Sequence, residues 1–348
     1  MTSQDVIVRS ESGWGRITLN RPRALNALTA DMCQAIGEAL LDWEADGAVA
    51  GVLVDHAGER GFCAGGDIRA MAESGAGDGA EGRRFFRAEY RMNELLFRYP
   101  KPVVAIMDGI TMGGGVGISM PARYRIATER TVWAMPEGDI GLFPDVGAGW
   151  YLPRLPGETG AWLALTGARL KAADCLALGI ASHFVESGEV GPLKQAILAR
   201  GDAGAPLAER AADPGPAPIL EHRAAIDRAF RFATVAEIVE ALVADGSDWA
   251  LAQREIIARK CPTTLKVALR LVREGARRAS FADEMAVEYR LAIRMIRRHD
   301  FVEGVRAVIV DRDGAPRWDP PALDGVDDKY LDAIYAELPP GDVWTPLI

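Results

Sequence analysis

Two carboxylates eight residues apart, Glu137 and Asp145, stand in the segment Ala134-Met135-Pro136-Glu137 through Phe143-Pro144-Asp145-Val146-Gly147-Ala148-Gly149. A carboxylate in a Gly/Pro-rich loop is ordinarily solvated. Here Trp133, Met135, Ile140, Leu142 and Phe143 surround the pair, and a carboxylate set against an apolar wall acquires a raised pKa or enhanced nucleophilicity. Acid–base or nucleophilic chemistry at Glu137 and Asp145 is therefore the first expectation.

Two glycine segments could serve such chemistry. One is Gly61-Phe-Cys-Ala-Gly-Gly66-Asp67-Ile68-Arg69, after an apolar strand expected at 51–54 and before a helical stretch. The other is Asp108-Gly-Ile-Thr-Met-Gly113-Gly114-Gly115-Val-Gly117, after a strand expected at 103–107. Glycines between strand and helix let backbone N–H groups approach a ligand without an obstructing Cβ. Two such sites acting on one oxygen would make an oxyanion hole. A third glycine pattern, Gly77-Asp-Gly79-Ala-Glu-Gly82, matches GxGxxG formally. No strand leads into it, so it is expected to be loop rather than a dinucleotide site.

The elements that must position these groups follow from hydrophobic period and turn chemistry. Strands are expected at 6–10 and 14–19 with Ser12-Gly13 as the turn, a helix capped by Thr29, a helix over 85–97, and a strand at 124–128. Residues 75–82 are expected to be loop. Composition shifts towards Ala, Pro, Gly and charge at 202–218, as in a linker. Helical stripes then cover 235–243, 248–258, 263–273 and 281–297. The Pro- and Asp-rich stretch from Gly314 onward is expected at the surface. The chain divides into 1–200, carrying the chemistry, and a mostly helical 201–348.

The 348 residues, 49% hydrophobic, suffice for a large core, and a net charge of −9 argues against a nucleic-acid partner. No run reaches the length of a membrane span. Cys33, Cys63, Cys175 and Cys261 lack metal or disulfide spacing and are expected to be small buried apolar groups. No metal is expected. The N-terminal residues show no leader pattern, which suggests a cytoplasmic setting. Ser119 lacks a nucleophile elbow. His183 and His299 are expected to be structural, and Arg83, Arg87 and Arg91 to form a solvated helix face.

Taken together, the motifs resemble the crotonase (enoyl-CoA hydratase/isomerase) superfamily, and within it the 3-hydroxyisobutyryl-CoA hydrolase group. The resemblance rests on Ile17-Thr-Leu-Asn-Arg-Pro-Arg-Ala-Leu-Asn-Ala-Leu, Phe62-Cys-Ala-Gly-Gly-Asp-Ile-Arg, Gly109-Ile-Thr-Met-Gly-Gly-Gly-Val-Gly and Met135-Pro-Glu…Gly141-Leu-Phe-Pro-Asp-Val-Gly. Leu165-Thr-Gly-Ala-Arg-Leu-Lys-Ala-Ala-Asp, Glu288-Tyr-Arg-Leu and His299-Asp-Phe-Val-Glu-Gly-Val-Arg-Ala extend it to about residues 5–320.

The resemblance implies an α/β fold, a spiral of β-β-α turns with a helical C-terminal region, and a soluble enzyme cleaving a short 3-hydroxyacyl-CoA thioester in valine degradation. It implies no cofactor beyond the coenzyme A of the substrate, and a possible trimer or hexamer. By motif position, the oxyanion amides are Gly66 and Gly114. Glu137 is the shared acid, and Asp145 marks the hydrolases. Glu89, Asp67 and Ile68 join Gly114, Glu137 and Asp145 as substrate contacts. Arg23 and Arg69 are candidates for the CoA phosphates, although Asp67 could instead cap a helix. Hydratases carry a second glutamate where this chain has Gly117, so half of their acid–base pair is missing.

Glu137 would attack the thioester carbonyl to give a mixed anhydride, or act as general base in one step. Asp145 would serve the hydrolytic water or bind the 3-hydroxyl. The alternatives are a hydratase or isomerase using Glu137 alone, and a non-catalytic CoA-binding subunit.

Overall fold

The computed structural model describes residues 4–348; Met1, Thr2 and Ser3, part of the stretch inspected for a leader, lie outside the described residues. The chain opens with a hairpin, β1 (Val6–Glu11) and β2 (Trp14–Leu19), paired antiparallel with Glu11 opposite Trp14. Ser12 and Gly13, at φ 51° and 77°, form the two-residue turn that matches strand twist. The Thr29 side chain accepts from Met32 N and starts α1 (Ala30–Ala45).

Three similar turns follow. β3 (Gly51–His56) and β4 (Gly61–Cys63) lead to α2 (Ile68–Ala76) and α3 (Ala80–Phe97). β5 (Val103–Met107) and β6 (Ile110–Met112) lead to α4 (Gly114–Ser119). β7 (Tyr124–Ala127) and β8 (Val132–Ala134) lead through a 3-10 turn at Glu137–Asp139 to α5 (Ala148–Tyr151) and α6 (Thr159–Thr166). In each turn the first strand joins a six-stranded sheet, ordered β1-β2-β3-β5-β7-β9, where β9 is His183–Phe184. The second strand joins a small sheet ordered β4-β6-β8. All pairs beyond the first hairpin are parallel. The expected α/β spiral is present.

The three strands of the small sheet leave no signal in the sequence. At three residues each they are too short to show a period. The expected loop at 75–82 is mostly helix, with only the turn at 77–79 between α2 and α3. The formal GxGxxG match thus carries no strand-to-helix loop.

After α7 (Ala172–Ala177), α8 (Val190–Arg200) completes the strand-containing part. Everything later is helical: α9 (Gly204–Arg210), α10 (Ile219–Ala229), α11 (Val235–Asp245), α12 (Asp248–Arg259), α13 (Pro262–Gly275), α14 (Phe281–Met295), α15 (His299–Val305) and α16 (Asp328–Tyr335). The linker expectation is corrected in part, because α9 forms within it and buries Pro206 and Leu207. The surface expectation for the C-terminal stretch holds over 314–325, where no residue is buried, and fails beyond it. Val326, Leu331, Ile334, Tyr335 and Trp344 are buried, and one hydrophobic cluster runs from Val6 to Trp344.

The Arg83/Arg87/Arg91 face is not simply solvated. Arg87 donates to the carbonyls of Asp342 and Val343, and Arg91 to the carbonyl and hydroxyl of Thr345, so α3 holds the C-terminal segment. All four cysteines are free and buried. The Ser119 hydroxyl is spent on the Gly115 carbonyl. Among the described residues no helix is long and apolar enough to cross a membrane, and no His/Cys/Asp/Glu group is placed to hold a metal.

Asn26 shows how an early motif positions a later one. It is buried at φ 57°, a left-handed conformation that asparagine tolerates better than most residues. Its Oδ1 accepts from Arg21 N at 2.9 Å, and its Nδ2 donates to Gly61 O at 3.0 Å and Ala57 O at 3.2 Å. The side chain thus ties the loop after β2 to the start of β4. Asn26→Ala is expected to lower stability by about 2–4 kcal/mol, from stranded buried backbone groups and the left-handed strain, as read by urea denaturation.

Candidate active site

The C-terminal ends of β4, β6 and β8 lie side by side, and each delivers one part of the site within a few residues: Gly66, Gly114 and Glu137. Gly66 forms a parallel bridge with Leu28. Its two bonds run from Leu28 N to Gly65 O and from Asp67 N to Leu28 O. Both bypass the Gly66 N–H, which alternation turns the other way. Gly114 is the first residue of α4, where a helix has no internal acceptor for the N–H.

The two glycine segments abut so closely that side chains are excluded. A Cβ on Gly114 would lie 2.5 Å from Glu89 Oε1 and 2.9 Å from Leu28 Cδ1. One on Gly66 would lie 2.6 Å from the Phe85 ring. A Cβ on Gly113 would lie 3.2 Å from both Gly65 Cα and Glu137 Oε1, which puts Glu137 directly against this junction.

Glu137 is buried, and its Oε2 has no hydrogen-bond partner among the described residues. Burial raises its pKa well above the ordinary carboxylate value, and the neighbouring Asp145 adds to this. Glu89, from α3, is also buried with Oε1 unpaired. Its pKa is pushed well up by burial, then by the charges of Asp145 and Glu137. Asp145 differs. Burial pushes it up to about 6, but Tyr90 OH donates to its Oδ2 at 2.6 Å and opposes the shift. Three buried acids therefore lie within electrostatic reach of one another, and among the described residues only Asp145 has a donor side chain on it.

The C-terminal helices hold the loops that carry these acids. Glu288, on α14 and fully buried, accepts from Gly147 N at 2.7 Å and Gly149 N at 3.0 Å. It secures the turn after Asp145, where Val146 adopts φ 53°, a strained conformation for a β-branched residue. The turn after Glu137 is fixed by Lys260 Nζ donating to Asp139 Oδ1 at 2.6 Å and by Cys261 N donating to Gly138 O at 3.3 Å. Gly141, at φ 72°, passes so near Asp300 that a Cβ would lie 2.4 Å from its carbonyl oxygen.

Other expected residues fall elsewhere. Asp67 makes no capping bond; its carboxylate pairs with Arg21 at 3.2 Å. Ile68 is half-buried at the start of α2 against the core. Arg23 is exposed and unpaired among the described residues, while Arg69 donates to Ile309 O at 3.3 Å. Neither arginine bonds the acids. His183 meets the Ser182 hydroxyl and His299 the Arg317 carbonyl.

Tyr90 and Asn93 do not stand out in the sequence, and Glu288 enters there only as the start of a resemblance motif, without a role. Only the i, i+1, i+4 spacing of Glu89, Tyr90 and Asn93 on one helix signals the first two. Nothing local in the sequence signals that Glu288 would reach a loop about 140 residues away.

The family described as enoyl-CoA hydratase/isomerase matches residues 14–335. A mitochondrial 3-hydroxyisobutyryl-CoA hydrolase of Gallus gallus is 44% identical, covering 98% of this chain and 91% of the relative. Its counterpart in Danio rerio is 45% identical, covering 94% and 88%. A solved structure titled a carnitinyl-CoA dehydratase, from Mycobacterium thermoresistibile, superposes with a TM-score of 0.93 at 43% identity, covering 97% of this chain and 98% of that one. Both hydrolase relatives are named mitochondrial, which overturns the cytoplasmic setting expected from the N-terminal residues. The same folding physics governs a core in either compartment, so the chain's composition carries no address.

Two outcomes follow from the electrostatics. A buried acid whose folded pKa is raised binds more protons folded than unfolded. Its penalty therefore grows as pH rises from the unfolded pKa towards the folded one. Glu89→Gln is expected to raise Tm by about 2 °C or more at pH 8, and by less at pH 5, as read by calorimetry. Tyr90→Phe removes the bond that lowers the Asp145 pKa. The acid limb of kcat/KM, near pH 6 or above, should move to higher pH.

Proposed function

The chain belongs to the enoyl-CoA hydratase/isomerase family, and we propose that its reaction is hydrolysis of a short 3-hydroxyacyl-CoA thioester, 3-hydroxyisobutyryl-CoA to 3-hydroxyisobutyrate and CoA. Near-full-length similarity to two hydrolases of that name supports the substrate. The observation that carries the chemistry is the exclusion of a second hydratase-type acid. A Cβ on Gly117 would lie 2.7 Å from Val146 Cβ and 2.8 Å from Asn93 Nδ2, so position 117 has no room for a glutamate. Asp145 supplies the second carboxylate from a different element.

The thioester oxygen would be held by the amides of Gly66 and Gly114, each donor contributing about 3–4 kcal/mol to the tetrahedral state in comparable sites. The Glu137 carboxylate attacks the carbonyl carbon. Collapse of the oxyanion breaks the C–S bond, expels CoA thiolate and leaves a mixed anhydride. Asp145 removes a proton from water as it attacks the anhydride. The acid product and the Glu137 carboxylate are released, and the proton passes to the thiolate or solvent. The environment suits these roles. Glu137, desolvated and without a donor on Oε2, is a poorly stabilised and hence reactive carboxylate. Asp145, held at about 6, is largely ionised at neutral pH and ready as a base.

Glu89 faces Gly114 and would close the acyl pocket, a role its closeness to Gly114 supports. Arg23 and Arg69, both exposed, remain candidates for the phosphates of coenzyme A, the only cofactor-like group this reaction uses. Association into trimers or hexamers is likewise proposed, by family analogy.

Thiol release from 3-hydroxyisobutyryl-CoA, assayed beside hydration of crotonyl-CoA, tests the reading; rapid hydration without thiol release would overturn it. Glu137→Gln is expected to lower kcat by at least about 10³-fold. Asp145→Asn should release about one equivalent of thiol per site in a burst and then stall, leaving acylated Glu137 detectable by peptide mass spectrometry. A stalled variant with neither burst nor adduct would exclude the anhydride route in favour of Glu137 as general base.

A further inference from the structure

Asn93 is buried completely, and neither Oδ1 nor Nδ2 has a hydrogen-bond partner among the described residues. Burying both ends of a carboxamide unpaired is costly, and native proteins rarely retain such a group without a use. Its location supplies one. Three residues of α3 at successive i+4 spacings meet three glycines of the site. Phe85 lies against Gly66, Glu89 against Gly114 and Asn93 against Gly117, with clearances to a Cβ of 2.6, 2.5 and 2.8 Å. The first two contacts line the amides assigned to the thioester oxygen. Gly117 lies three residues along α4 from Gly114, roughly 4.5 Å of rise at ~1.5 Å per residue. That displacement is on the scale separating a thioester carbonyl from an oxygen two carbons away.

We infer that Asn93 is the specificity residue for the acyl group, its carboxamide hydrogen-bonding the 3-hydroxyl of the substrate. The inference rests on the thioester-hydrolase reading above. The chemistry matches: a hydroxyl both donates and accepts, and a carboxamide offers one group of each kind. An amide also adds no charge beside Glu89, Glu137 and Asp145, whereas another carboxylate would raise their pKa values further. Asp145 is then left free for water. A pocket whose polar group is satisfied only by a hydroxylated substrate rejects the analogue lacking it, because that analogue leaves the group unpaired.

The test compares kcat/KM for 3-hydroxyisobutyryl-CoA and isobutyryl-CoA, by thiol release, in the wild type, Asn93→Ala and Asn93→Leu. The alanine variant makes no steric demand and the leucine variant preserves approximate volume, so at least one should fold; melting temperatures at or above that of the wild type would agree with removal of unpaired polar atoms. The wild type is expected to prefer the hydroxylated thioester by on the order of 10²-fold or more. Both variants should reduce that preference at least tenfold, through loss on the hydroxylated substrate. An undiminished preference, or an equal loss on both substrates as for a residue that only supports packing or holds a buried water, would overturn the inference while leaving the hydrolase reading intact. A wild type that cleaves neither thioester would overturn that reading instead.

Discussion

The site depends on the pairing of three very short parallel strands. β4, β6 and β8 have three residues each, and neighbouring strands in a sheet stand about 4.8 Å apart. Parallel pairing brings their C-terminal ends to the same edge, the usual place for a ligand in α/β architecture. Gly66, Gly114 and Glu137 emerge there together because Ile110 is paired with both Gly61 and Val132. The glycine requirement follows from this proximity. With strand ends so close, a Cβ at 66, 113 or 114 would meet Phe85, Glu137 or Glu89.

The same closeness concentrates acids. Glu89, Glu137 and Asp145 come from a helix, a 3-10 turn and a loop, and all three are buried. Burial is the largest effect on each; the charge of Asp145 adds to it at Glu137 and Glu89, and that of Glu137 at Glu89. The donor on Asp145, the Tyr90 hydroxyl, divides the set: one acid stays ionisable near neutrality, and two remain poorly stabilised as anions. Acids buried this way cost stability, a trade typical of places where reactivity is needed.

The helical second half of the chain completes this arrangement rather than merely covering it. Glu288 grips the turn after Asp145, and Lys260, Cys261 and Asp300 hem in the turn after Glu137. On the opposite side of α3, Arg87 and Arg91 bind the last residues of the chain. The helix presenting Glu89, Tyr90 and Asn93 is thus fixed from both sides, and strain such as that at Val146 persists because its surroundings over-determine it.

The sequence alone determined the first hairpin, the Thr29 cap and the later amphipathic helices, because these depend on period and turn chemistry within a few residues, while the α/β class came with the motif resemblance. Motif resemblance likewise pointed to Gly66, Gly114, Glu89, Glu137 and Asp145 as candidates. What only the tertiary structure decided is how those residues meet. Three-residue strands carry no readable period, so the small sheet was invisible. Tyr90, Asn93 and Glu288 bear on residues 24 to 141 positions away, beyond any local pattern. The Pro- and Asp-rich stretch at 314–325 is at the surface as its composition suggests, yet the residues after it turn inward, with Val326, Tyr335 and Trp344 buried against distant helices. Gly117 shows both limits at once: the sequence displays a missing acid, and only the packing of Val146 and Asn93 shows that none would fit.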